Sequence, residues 1–289
     1  MDYRRNREDE LKGIWQSWDK AKKTCFWDKY SDVAQLLFVK LDDALLKAMV
    51  RFWDPTYKRF TFNEVDMVPN IEEHSTILHY EFRDPLRIYW KQNVDFGGPL
   101  ANLMGLPVDT MEERLKNKNG PCISWSDIRD AMGKASGDRH LTQFMVTVCG
   151  LIVFPKALGY VSVELANFLF QIENWVNPAP TVLAKTFISL IFIRRKGEGC
   201  FLVCAQLFVW VKGHFRFHYK RFCQVFVHLT RPIKEFLESD WPPNQLIEEW
   251  VQNLSTLTYQ EIEWKALWII RSMVLIGCGG QLWVPLIDI

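Results

Sequence analysis

The sequence predicts a mainly α-helical protein: a single multi-helix globular domain with one or two small β-hairpins and no transmembrane span. Three observations lead there. Apolar residues recur at three- and four-residue intervals over most of the 289 residues. Alternating runs, which mark half-buried strands, are few, and Phe60 and Phe62 supply the clearest. The longest apolar stretches are Phe144 to Phe154, Ala179 to Ile193 and Cys200 to Val211. The first is short and the others contain Lys185 and Gln206, so none reaches the ~18 uninterrupted residues of a span.

Leu11, Ile14, Trp15 and Trp18 are spaced for one helical face. Helices are expected over Asp32 to Lys40, capped by Ser31 or Asp32, and over Asp42 to Trp53, capped by Asp42. Phe52 to Glu73 is the most distinctive stretch: Asp54-Pro55 sets a turn, Phe60 and Phe62 a strand, and Pro69 the first turn of a helix running to about His79. Glu72 and Glu73 fall in that first turn, where the helix dipole favours acids. From Glu81 to Gly120 the Gly and Pro pairs punctuate loops around a helical piece at Met111 to Lys116. Ser126 is expected to cap a helix ending near Gly133. Gly137-Asp138 opens a long one with Leu141, Phe144, Met145, Val148, Cys149 and Ile152 on its apolar face, stopped by Pro155.

Ser162 is expected to cap the next helix, with Glu164 in its first turn, and Pro180 to open one reaching about Arg195. That helix and Cys200 to Phe215 are apolar nearly all round, so both should be buried on several sides. Leu246, Ile247, Trp250, Val251 and Leu254 form the last clear stripe, and Thr258 and Glu261 have capping-box spacing.

Composition bounds the function classes. With 13 Trp and 20 Phe, many large rings must be buried or sit at interfaces. A net charge of +1 excludes a chain that is polyanionic or polycationic as a whole. The seven cysteines are odd in number and scattered, which favours reduced thiols and an intracellular protein. Residues 1–24 read as a charged helix or tail, and the opening MDYRRNREDELKG lacks the apolar core of a secretory signal.

No catalytic, cofactor-binding or metal-ligating constellation is expected. Cys200, Cys204, His214 and His218 have paired four-residue spacings, yet on one helix Cys204 and His214 would stand ~15 Å apart, too far to share an ion. Lys156 and Lys185 lie among apolar residues, as a Schiff-base lysine does, but helix-end and snorkelling positions account for both. The pairs Glu72/Glu73, Glu112/Glu113 and Glu248/Glu249 are sequence neighbours that point apart on a helix, so solvated faces are the default.

One segment carries a stronger signal. Between Arg194 and Arg231 there are eight Lys or Arg and one acid, Glu198, and Phe215, Phe217, Tyr219 and Phe222 interleave with Lys212, Arg216, Lys220 and Arg221. Phosphate neutralisation with ring stacking uses such a pattern, and Arg194, Arg195 and Lys196 could hold an anion. Against it, Glu235 to Glu263 holds seven acids and no Lys or Arg. Three readings stand: mutual neutralisation, nucleic-acid binding, and a charged protein partner.

Three blocks carry a resemblance: FWDPTYKRFTFNEVDMVPNIEEHSTIL at 52–78, FMVTVCGLIVFPKALGYVSVELANFLFQI at 144–172, and Pro180-Thr181-Val182-Leu183-Ala184 through GEGCFLVCAQLFVWVKGHF, ending at Phe215. A weaker fourth joins EIEWKALWI at 261–269 to GCGGQLWVPLI at 277–287. In this order the chain resembles the plant mobile domain family, also labelled aminotransferase-like, over residues 25–289. The resemblance implies a nuclear interaction domain of transposon-associated origin, engaged in silencing or genome maintenance. It also implies a phosphatase-like protein partner, and it brings no catalytic residues. The family pattern continues to an Arg-Gln-aromatic motif beyond the tryptophan-proline block, so the chain reads as a copy lacking that tail.

Overall fold

The computed structural model describes residues 3–40, 42–63, 65–77, 97–115, 122–154, 160–162, 164–196, 205–214, 233, 237 and 245–262. They are mainly helical, with a few short antiparallel strands, as the periodicity predicts. No helix among the described residues is long and apolar enough to cross a membrane. The chain divides into two compact units, each made of two separated segments.

The first unit comprises Met1–Phe38 and Phe82–Pro178. Helix α1 spans Tyr3–Ser17 and α2 spans Lys20–Tyr30, and between them Asp19 accepts a hydrogen bond from the backbone N–H of Lys22 at 2.7 Å, which starts the second helix. Leu11, Trp15, Trp18 and Phe26 are buried. Trp15 meets Phe26 at 5.3 Å between ring centres, and Trp18 meets Phe144 at 4.7 Å. These ring contacts fasten the N-terminal helices to α8 (Gly137–Val148), and all the residues expected for its apolar face are buried, Cys149 and Ile152 just beyond its end. The helix passes into a π-turn at Cys149–Val153, where Gly150 allows close approach: a methyl group there would lie 2.7 Å from Val161.

Between these segments come α5 (Gly97–Met104), α6 (Val108–Leu115), β4 (Cys122–Ser124) and α7 (Trp125–Lys134). Strand β5 (Tyr160–Ser162) pairs antiparallel with β4, and α9 (Glu164–Glu173) follows. Two expected caps move. Ser124, not Ser126, receives the Asp127 N–H at 3.1 Å, because β4 delivers the chain to the helix two residues earlier. Ser162 ends β5 with its hydroxyl buried and without a partner among the described residues, instead of capping α9.

The second unit comprises Val39–Glu81 and Ala179–Ile289. Asp42 caps α3 (Asp43–Arg51) through one carboxylate oxygen and accepts the Trp250 indole N–H at 3.2 Å through the other. Trp250 belongs to α12 (Ile247–Ser255), so a single carboxylate starts one helix and docks a second. Helix α3 stops at Arg51 because Trp53 enters strand β1 (Trp53–Asp54). Asp54 accepts from the N–H groups of Thr56 and Tyr57 and closes the turn to β2 (Arg59–Phe62), and β3 (Val65–Met67) completes an antiparallel sheet. Trp53 pairs with Phe60, and Phe60 with Met67, so one face of the sheet is buried and aromatic.

Helix α4 (Ile71–Ile77) begins two residues after Pro69, with Asn70 as its cap: Asn70 Oδ1 accepts from Glu73 N at 2.7 Å. Residues 32–40, expected as a helix with a capping Ser31 or Asp32, form a 3₁₀ turn at Val33–Phe38 in the first unit. Helices α10 (Ala179–Lys196) and α11 (Ala205–His214) are joined inside the second unit by Gln206, which donates to Thr186 at 3.0 Å. α11 is buried from Ala205 to Val211, whereas α10 exposes Ala184, Ile188 and Arg194, so it is less enclosed than its composition implied.

Candidate functional site

Two clusters of polar side chains stand out, one in each unit. In the second unit Glu73 is the centre. Asn70 at the cap and Pro69 before it turn α4 so that Glu73, at the third helical position, points inward with 2% exposure. Its Oε1 lies 3.0 Å from His214 Nε2, and its Oε2 accepts from the Trp210 indole N–H at 2.5 Å and from the Asn70 backbone N–H at 3.4 Å. Burial pushes the Glu73 carboxyl pKa up, but the charge and hydrogen bond of His214, with Trp210 and Asn70, outweigh it and hold the group below its usual range. Glu73 is therefore a buried carboxylate, which corrects the expectation of a solvated acid in a first turn.

The next residue, His74, is fully enclosed. Its Nδ1 lies 3.0 Å from the Asn70 carbonyl, so that nitrogen carries the proton, and Nε2 is buried with no partner among the described residues. Burial lowers its pKa from 6.5 to about 4, against the opposing charge of Glu73 and the Asn70 hydrogen bond. Between those two values the unfolded chain binds a proton that the folded chain refuses, so stability falls as pH falls through the window. The expected loss is about 3 kcal/mol in total. Urea unfolding from neutral pH down to about pH 4 measures it, and His74→Gln, which does not titrate, is expected to flatten the curve. Equal pH slopes in the two proteins would refute the assignment. Glu73 acts in a lower window: its contribution is complete above the ordinary 4.5 and is lost as pH falls through the depressed folded value.

In the first unit, α2, α5, α8 and α9 enclose a cleft of about 440 Å³. Lys29 pairs with Glu173 at 3.0 Å and lies 3.9 Å from Asp138. Tyr30 donates to the same Glu173 carboxylate at 2.7 Å. Burial raises the Tyr30 phenol pKa, and Glu173 adds to the rise against a lowering by Thr142, so the phenol stays protonated and donates. Leu103, Val146 and Ala166 are the apolar lining, and Phe170, 57% exposed, stands at the cleft. Arg139 lines this cleft and also a smaller hollow of about 160 Å³ beside α7.

A family described as Domain of unknown function (DUF7745) matches residues 11–289. The chain belongs to this family. No curated protein and no solved structure matches it. Membership in DUF7745 names no reaction, so the functional reading starts from the two clusters and from the residues singled out by sequence.

Of those, Arg194 is exposed near the end of α10 and forms no ion pair among the described residues. Its charge reaches Asp54, whose carboxyl is held low first by the Thr56 and Tyr57 N–H groups and then by Arg59 and Arg194. Arg195 and Lys196 end α10, and Lys212 lies on α11. Arg216, Lys220 and Arg221 fall outside the described residues, as do Cys200, Cys204, His218 and Lys156. Glu248 and Glu249 are exposed on α12, and Glu249 accepts from the Leu246 N–H of its own helix at 2.9 Å. Among the described residues no group of three His, Cys, Asp or Glu is placed to hold a metal.

Sequence reasoning missed Glu73, His214 and Trp210 as a set. Signals for it existed: Asn70 and Glu73 have capping-box spacing, and Trp210 and His214 are four apart on an apolar helix, two polar tips in need of a buried partner. Arg139 and Phe170 had no comparable signal, because their importance comes from the meeting of α8 and α9.

Proposed function

We propose that the protein is a non-enzymatic protein-interaction domain, related to plant mobile domain proteins and of transposon-associated origin, acting in nuclear silencing or genome maintenance. The observation that carries the reading is the first unit's cleft, which presents an exposed phenylalanine, an apolar floor and charges of both signs, as a surface for a protein segment does. The four sequence blocks supply the relatedness, the nuclear location and the phosphatase-like partner. The most polar buried cluster, around Glu73, is engaged internally, with Glu73 and His214 side chains each 3% exposed, and fits a structural role. Proximity labelling of the expressed protein in nuclei, followed by reciprocal pull-down, tests this. A reproducible nuclear protein partner is the expected result, and recovery of none, or turnover of a small molecule by the purified chain, would discard it.

A second reading, a nucleic-acid-binding module using Arg194, Arg195, Lys196, Lys212, Arg216, Lys220 and Arg221, draws on the exposed Arg194, which forms no ion pair among the described residues. Binding to DNA or RNA that weakens steeply with salt, and is lost when Lys212, Arg216 and Lys220 are changed together to Glu, is its expected signature. Salt-dependent binding that survives the triple change would remove this surface.

A further inference from the structure

Arg139 occupies an unusual place in the first unit. It stands in the first turn of α8, yet its guanidinium reaches back over the end of α5: a methyl group on Gly105, which sits in the left-handed region at φ +66°, would lie 2.9 Å from Arg139 Nη1. Gly105 thus leaves room for the planar group to lie close to the backbone. Despite that positioning, Arg139 has no hydrogen bond and no ion pair among the described residues. The neighbouring Lys29, in contrast, is committed to Glu173. Beside Arg139, one turn along α8, Gln143 is buried with 1% exposure and donates to the Leu103 carbonyl at 2.6 Å, but its amide oxygen meets no donor among the described residues. Arg139 and Gln143 line the smaller hollow together, and Arg139 also lines the larger cleft with Phe170.

We propose that the two hollows form one groove for an extended peptide in which an acidic residue lies next to an apolar one. The carboxylate pairs with the Arg139 guanidinium, the apolar side chain covers Phe170 and the Leu103, Val146 and Ala166 floor, and a backbone N–H supplies the donor that Gln143 lacks. The spacing agrees: Arg139 and Gln143 are ~6 Å apart along α8, about two residues of an extended peptide, each of which rises by ~3.3 Å. Charge selects the class of partner. Asp127, Asp130 and Lys134 line the small hollow and Lys29, Asp138 and Glu173 the large one, so charges of both signs alternate and offer no continuous basic track to a nucleic acid, while the Arg139 guanidinium accepts a single carboxylate. This inference rests on the interaction-domain reading and names the partner chemistry of that same cleft.

The test uses the full chain and peptides capped at both ends, with Glu-Leu or Leu-Glu set between Ser and Gly, against Lys-Leu and Glu-Ser counterparts, titrated by fluorescence anisotropy. The acidic-apolar peptides are expected to bind and both counterparts to fail. Arg139→Glu should weaken binding by about ten- to a hundredfold, the loss of one charge-assisted hydrogen-bonded pair, and should transfer preference to the Lys-Leu peptide. Phe170→Ser should weaken the acidic-apolar peptides by about tenfold and leave Arg139 charge selection intact. Both positions are exposed, so circular dichroism should show unchanged folding. No saturable binding, binding indifferent to both variants, or tighter binding of an oligonucleotide through Arg139 would each overturn the proposal. If labelling retrieves a nuclear partner that both variants still hold, the groove is wrong and the interaction reading stands. If no partner is retrieved, that reading falls whatever the peptides do.

Discussion

Glu73→Ala is expected to destabilise the protein by about 3–5 kcal/mol, because it removes the carboxylate on which a buried cluster of donors converges. Trp210 Nε1, His214 Nε2 and the Asn70 N–H all converge on Glu73. Deleting the acceptor leaves them in an interior from which water is excluded, and each buried donor without a partner costs about 1–3 kcal/mol. The size of the effect does not mean that the ion pair itself contributes as much. Two apolar residues in place of a buried pair are often tolerated, because the desolvation cost disappears with the charges. The Glu73→Leu, His214→Leu double variant should therefore lose less than the sum of the two single losses, and Glu73→Gln, which keeps an acceptor for Trp210, less than Glu73→Ala. Urea midpoints followed by circular dichroism measure all of these. A Glu73→Ala protein within about 1 kcal/mol of the parent would show that the donors find other partners.

The helices were legible because their cause is local. The 3.6-residue spacing of Leu141, Phe144, Met145 and Val148 requires a buried face whatever lies opposite, and all four are buried. The Asp42 cap was legible for the same reason, since a side chain needs only the N–H groups two and three residues ahead. The second task of Asp42, accepting the Trp250 indole N–H from 208 residues away, has no local cause and could not be read. Boundaries failed where a strand competed with a helix. Trp53 continues the apolar stripe of α3 in sequence, yet it pairs with Phe60, because the turn closed by Asp54 returns the chain antiparallel.

The functional residues divide in the same way. Asn70 and Glu73 announce a cap, but only the fold shows that the acid turns inward to meet α11. The default that neighbouring acids are solvated holds for Glu248 and Glu249, where α12 turns that face to water, and fails at Glu73. Arg139 and Phe170 look like ordinary surface residues in sequence. Their proximity depends on α8 and α9 lying beside α5, a tertiary arrangement that no spacing within one helix encodes.

The stretch around Trp53 supports the other large expected effect. Trp53 is 1% exposed, and its ring lies 4.8 Å from Phe60 and 5.3 Å from Phe187, while Phe60 lies 6.0 Å from Trp210. Trp53 thus joins the small sheet to α10, and the same aromatic layer reaches α11, the helix that carries the partners of Glu73. Trp53→Ala removes the ring and leaves a cavity between sheet and helix, so a loss of about 3–5 kcal/mol is expected. Trp53→Phe separates packing from hydrogen bonding. The indole N–H is buried and has no partner among the described residues, so phenylalanine gives up volume but also removes an unmet donor, and its loss should be well below that of alanine. The cavity in the alanine variant should also loosen Trp210, so the stability lost with Glu73→Ala should shrink in a Trp53→Ala background. Strict additivity of the two changes would mean that the aromatic layer and the buried carboxylate are independent. A Trp53→Ala protein that keeps its stability but loses its partner would make this tryptophan part of a binding surface instead.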